Sequence, residues 1–152
     1  METLEGVIAE HPFLEGLLPR YHEFLVGCAT NVRFEPGQFV FLEGGEANQC
    51  YLIREGKVTL EIEAPPRGTI IIQTLGKGDV LGWSQIFPPY RWKFSARAVE
   101  ITRAITLNGK CLREKSEEDH DLGYELLKRF ARVIQGRLQA TRLQLVNVYT
   151  AG

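Results

Sequence analysis

The feature that most constrains the fold of this chain is a change of hydrophobic period after Thr30. Before it, apolar residues recur at helical steps of three and four. After it, short apolar segments at 32–34, 39–42, 51–54, 58–62 and 69–75 alternate with turn signals. Those signals are Pro36-Gly37, Gly44-Gly45, Glu55-Gly56, Pro65-Pro66 with Gly68, and Gly76-Lys77-Gly78-Asp79. Strands this short, spaced by roughly 8–12 residues, predict a β-sandwich or roll. Val58, Leu60 and Ile62 alternate with Thr59, Glu61 and Glu63, which predicts a half-buried antiparallel strand with its polar face outward. A short helical interruption is expected at 83–87, where Pro88-Pro89 stops it, and strands follow at 93–99 and 102–107.

Both ends read as helical. Leu4, Val7 and Ile8 share a helical face, Pro12 starts a new turn before Phe13, Leu14, Leu17 and Leu18, and Pro19 opens a helix carrying Tyr21, Phe24, Leu25 and Cys28 on one side. Asn108 is placed to cap a short helix at 110–115. From 118 to 148, Gly123, Leu127, Phe130, Ile134, Leu138, Thr141, Leu145 and Val148 form one apolar stripe, a helix-packing seam. Arg129, Arg132, Gln135, Arg137, Gln139 and Gln144 fall on its other faces. The expectation is a mainly β fold with flanking helices, a jelly-roll-like double-stranded β-helix forming one domain over 1–152. Its parts are N-terminal helices at 1–29, a β-roll at 30–108 and C-terminal helices at 109–148.

At 152 residues, 44% of them apolar, the chain fits one hydrophobic core. The formal net charge of −1 offers nucleic acid or an anionic membrane no general attraction. The start carries Glu2, Glu5 and Glu10 in place of a basic n-region, and no uninterrupted apolar run reaches the roughly 18 residues of a membrane span, so the expected location is the cytoplasm. Cys28, Cys50 and Cys111 are odd in number and unclustered, and read as small buried hydrophobes in a reducing compartment, neither disulfides nor metal ligands. His11, His22 and His120 all lie in helical segments, which argues against a cupin-type metal barrel. With no GxSxG, HExxH or P-loop, no enzyme, metal or required cofactor is expected.

Three stretches together resemble the cyclic-nucleotide-binding domain of the catabolite activator family. They are Phe34-x-Pro36-Gly37, Gly45-Glu46-Ala47 followed by Tyr51-Leu52-Ile53-Arg54-Glu55-Gly56-Lys57-Val58, and Gly76-x-Gly78-Asp79-Val80-Leu81-Gly82. The resemblance implies a ligand held between a short helix and the long C-terminal helix, in a phosphate-binding cassette over 78–96. In the family that cassette opens Gly-Glu, continues as a short helix and closes Arg-Ser/Thr-Ala, with the Glu on the ribose hydroxyl and the Arg on the cyclic phosphate. Gly82, Ser95 and Ala96 match this pattern, whereas Trp83 stands at the Glu position and Phe94 at the Arg position. Ser84 lies in the short helix, Thr141 matches the residue that offers a hydroxyl to the purine, and Arg142 follows it.

The tentative ligand-binding set is therefore Gly82, Trp83, Ser84, Arg91, Ser95, Ala96, Thr141 and Arg142. Trp83 and Trp92 could stack on a planar ligand, or Trp83 could fill the vacated cassette. Arg91, in the loop, is the candidate for a relocated anion contact. On strand parity Lys93 and Arg97 point outward as solvated charges. The expected function is a non-catalytic sensory or regulatory module with standard cyclic AMP binding lost, taking either a nucleotide-like small molecule or a partner protein. The alternatives are a cyclic AMP or cyclic GMP receptor with a rewired pocket, the effector component of a transcription regulator, and, weakest, a redox or haem sensor. A homodimer is expected through Leu127, Phe130, Ile134, Leu138 and Leu145. The sequence stops at Gly152, where the family's transcription factors continue into a helix-turn-helix, so direct DNA binding is not expected.

Overall fold

In the computed structural model, which describes residues 3–150, the period-two region forms eight strands in two antiparallel four-stranded sheets. One sheet runs in the order β1 (Ala29–Phe34), β8 (Thr102–Asn108), β3 (Gln49–Glu55), β6 (Val80–Leu81). The other runs β2 (Phe39–Phe41), β7 (Ser95–Ala98), β4 (Lys57–Glu63), β5 (Thr69–Gly76). Apart from β4 and β5, partners within a sheet are distant in sequence, as the expected jelly-roll-like winding demands. Gly56 makes the corner between β3 and β4 at φ 105°, and a Cβ there would lie 2.4 Å from Thr102 Oγ1, so only glycine fits.

Of the polar face expected on β4, Glu63 is exposed at the strand end, but Thr59 and Glu61 are buried. Thr59 and Glu61 are as inaccessible as Val58 and Leu60, because β4 is an internal strand between β7 and β5. Arg97 of β7 does point to that outer face, but it is ion-paired with the Glu61 carboxylate. It also lies 5.2 Å from the Phe39 ring centroid, so it is not a freely solvated charge. Thr59 Oγ1 donates to the Arg97 carbonyl at 3.4 Å. The strand expected from 93 starts only at Ser95, which leaves Lys93 exposed in the preceding loop.

The helices follow the capping signals. Thr3 Oγ1 accepts from Gly6 N–H at the start of α1 (Leu4–Glu10), and α2 (Pro19–Val26) begins on its proline. Asn108 caps α3 (Gly109–Glu118) through Cys111 N–H at 2.9 Å. Asp119, in extended backbone, ends α3, and its Oδ1 accepts from the N–H groups of Asp121 and Leu122 at the start of α4 (His120–Thr150). Among the described residues no helix is long and apolar enough to cross a membrane.

Two cores result. One lies between the terminal helices and the β1–β8–β3–β6 sheet, with Ile8, Leu14, Leu25, Leu52, Ile105 and Phe130. The other fills the roll, with Phe41, Val58, Leu60, Trp92, Phe94 and Ala96. Where the sequence suggested one stripe on α4, the helix carries two. Leu122, Leu126, Phe130, Val133 and Arg137 advance by four, four, three and four residues and face the protein, so Phe130 is core and not part of an exposed seam. Its ring packs edge-on to Phe13 at 4.8 Å. Arg129 and Arg137, expected on solvent faces, are buried. Leu127, Leu138, Leu145 and Val148 form the exposed stripe, with Ile134 half-buried along it.

The cysteine expectation also fails for one pair. Cys28 and Cys111 are joined by a disulfide across a sequence separation of 83 residues. The pairing of Ala29 with Leu107 sets the start of β1 beside the end of β8, and Asn108 N–H donates to the Cys28 carbonyl at 2.9 Å. The first turn of α3 then lays Cys111 over Cys28, with Cα atoms 5.7 Å apart, inside the span a disulfide bridges. Cys50 is a free, buried thiol, as expected.

Candidate functional site

The cassette is built outward from Gly82. Its φ of 102° is left-handed, and a Cβ would meet the Cys50 Cα, the Gln49 carbonyl oxygen and the Trp92 ring, each at 3.0 Å. This turn throws the chain from β6 into a short 3-10 helix at Trp83–Ile86. Within it Ser84 and Gln85 are buried, and the Gln85 carbonyl accepts from Arg113 Nη1 on α3 at 2.6 Å.

Trp83 sits at the junction of the two cores and packs against both. Its ring meets Phe94 edge-on at 6.2 Å, and the Arg137 guanidinium of α4 covers it at 4.9 Å from the centroid. Arg137 Nη2 donates to the Val80 carbonyl of β6. The Arg137 side chain is only 8% exposed, its Nη1 is buried without an acceptor, and burial pulls its pKa from 12.5 to about 10. At neutral pH it is still a cation, placed on the face of an indole. Phe94 is buried against Phe41, and Ala96 is fully buried in the roll.

The remaining sequence candidates are not gathered around this point. Trp92 lies flat on Phe41 with ring centroids 3.8 Å apart, inside the roll core, so its face is not open to a ligand. Ser95 Oγ accepts from Glu43 N–H at 2.9 Å, on the strand face opposite Phe94 and Ala96. Arg91 is exposed, its backbone pairs with that of Glu46, and its Nη1 donates to the Gly44 carbonyl at 3.5 Å. Thr141 Oγ1 donates back to the Arg137 carbonyl at 2.9 Å, as a helical threonine does when it has no other acceptor. Arg142 is exposed on the same helix.

Arg137 is the residue that reading by sequence missed. Its signal was the four- and three-residue progression from Leu122 through Phe130, which continues to 137. The arginine at its end hides that progression, because an arginine ordinarily marks a solvent face.

The cyclic nucleotide-binding domain family matches residues 31–119. The chain is 26% identical over 145 residues to a CRP-like cAMP-activated global transcriptional regulator of Mycobacterium tuberculosis, covering 95% of this chain. It spans 63% of the length of that relative. A solved structure of a cyclic nucleotide-binding protein from Geobacter metallireducens superposes with a TM-score of 0.78 at 28% identity, over 91% of this chain and 99% of that one. The catabolite activator protein of Thermus thermophilus shares the fold with a TM-score of 0.72 at 21% identity, over 91% and 63% of the two chains.

Proposed function

We propose that this chain, which belongs to the cyclic nucleotide-binding domain family, is a non-catalytic regulatory module whose cassette is closed by its own side chains. One observation carries the reading: Trp83 fills the junction of cassette, roll and long helix, with Arg137 laid over it and tied to Val80. In the pattern the sequence resembles, a ligand bridges the short helix and the long helix. Here the Trp83–Arg137–Val80 contact makes that bridge from protein alone. The ribose-holding carboxylate and the phosphate-holding guanidinium are replaced by Trp83 and Phe94. Hydrogen bonds to charged groups contribute about 1.5–3 kcal/mol each, so their joint loss weakens binding by roughly two to four orders of magnitude.

The test is calorimetry with cyclic AMP and cyclic GMP. The wild-type chain is expected to give no saturable heat at high micromolar ligand, and the Trp83→Glu, Phe94→Arg double variant to gain it. Saturable binding by the wild type, abolished by Trp83→Ala or Arg91→Ala, would overturn this reading in favour of a rewired receptor. The stripe of exposed Leu127, Leu138, Leu145 and Val148 with half-buried Ile134 suits a second copy of the chain, because its steps of seven, four, seven and three residues keep the heptad register of a paired helix. Gel filtration is expected to give a dimer, and Leu138→Glu with Leu145→Glu a monomer. The signal then leaves through the long helix, in a role comparable to the effector part of a transcription regulator.

A further inference from the structure

We propose that the Cys28–Cys111 disulfide is a thiol–disulfide exchange site, through which a dithiol reductant releases α3 from the roll. The proposal is independent of whether the cassette takes a ligand. The bond joins two places that matter to the cassette. Cys28 leads directly into β1, and Cys111 lies in the first turn of α3. Two residues further on, Arg113 spans from α3 to the cassette, donating to the Gln85 carbonyl and covering the Tyr90 ring at 4.3 Å. The disulfide therefore sits two residues from the side chain that ties α3 to the Trp83–Ile86 turn.

The two sulfurs differ in access. Cys28 is buried at 5% exposure, whereas Cys111 is half-buried on the helix surface. A reductant thiolate attacks Cys111 Sγ, the S–S bond breaks, and Cys28 leaves as a thiolate that takes up a proton. The reductant's second thiol then attacks its own sulfur in the mixed disulfide. Cys111 is released as a thiol, and the reductant becomes a disulfide. Two electrons and two protons pass to the protein, and the reverse sequence restores the bond. Cys50 does not compete, because burial pushes its thiol up to about 12 and keeps it protonated. Reduction leaves α3 with its Asn108 cap, the backbone bonds of Asn108 N–H to the Cys28 carbonyl and of Gly109 N–H to the Asn48 carbonyl, and the Leu112 packing, so its first residues stay seated while the turns beyond Cys111 loosen.

The experiment treats the folded, oxidised chain with millimolar dithiothreitol, without denaturant. It counts free thiols and follows hydrogen–deuterium exchange over 83–90 and 109–118. The expected result is a rise from one titratable thiol to three on quenching into denaturant, with severalfold faster exchange in both segments. Tm is expected to fall by about 10 °C, since the bond closes a long loop in the unfolded chain. A Cys28→Ser, Cys111→Ser double variant is expected to show the reduced exchange pattern and no further response. A bond that resists reduction until the protein unfolds would overturn the proposal and make the link purely structural. Unchanged exchange at 83–90 after complete reduction would also overturn it, and the wild-type reduction decides the matter even if the double variant fails to fold.

Discussion

Replacing Arg137 separates what its buried guanidinium contributes to stability from what it does for the shape of the cassette. Its charged hydrogen bond to the Val80 carbonyl contributes about 1.5–3 kcal/mol, and a desolvated cation on an indole face about 2 kcal/mol more. Against this stands desolvation. A pKa lowered from 12.5 to about 10 disfavours the charged form by about 3 kcal/mol. The opposing contributions balance to within about 1–2 kcal/mol, the usual outcome for a buried charge. Arg137→Met keeps the bulk over Trp83 and substitutes a sulfur–aromatic contact, so its unfolding free energy is expected within about 1.5 kcal/mol of wild type. Arg137→Ala removes the packing as well and is expected to lose about 2–4 kcal/mol. Urea unfolding followed by tryptophan fluorescence measures both, with equal m-values as the check that the midpoint shift reports stability. A loss above about 3 kcal/mol for Arg137→Met would refute the balance and make the Arg137 contacts a principal source of stability.

The two stripes of α4 predict opposite outcomes for similar truncations: Phe130→Ala is expected to cost about 3–5 kcal/mol, and Leu138→Ala about 0.5 kcal/mol or less in the monomer, both read by urea midpoints. Gly82→Ala, forced to φ 102° and into three contacts at 3.0 Å, is expected to destabilise by about 2 kcal/mol or more and to blue-shift or redden Trp83 emission as the cassette moves. His11 is held neutral, with Nε2 on the Ile53 carbonyl and Nδ1 accepting from Phe13 N–H, and burial lowers its pKa. The unfolded chain then binds a proton that the folded chain refuses, so stability present above about pH 6.5 is lost as pH falls through the depressed folded value. Thermal melts from about pH 7.5 to 5 are expected to fall more steeply for wild type than for His11→Gln, and identical slopes would count against the assignment.

The sheet-forming segments, the corner glycines and the helix caps were legible because each depends on neighbours within a few residues. Gly56 and Gly82 need left-handed backbone, Asn108 needs an amide three residues on, and Pro88-Pro89 stops a helix wherever it stands. The placing of Trp83 and Phe94 at the anchor positions comes from the resemblance to the family, not from local periodicity, and belongs to the proposal.

Burial of polar groups was decided elsewhere. Glu61 reads as a solvent-facing residue until β7 lays Arg97 beside it, and Arg137 reads as a surface charge until the cassette brings Trp83 beneath it. Cys28 and Cys111 meet only because β1 and β8 pair in one register. A sequence fixes which face of an element a side chain occupies, since periodicity is local. What covers that face is set by a strand or helix far along the chain, and the covering partner decides whether an arginine is a solvated charge or a buried cation on an indole face.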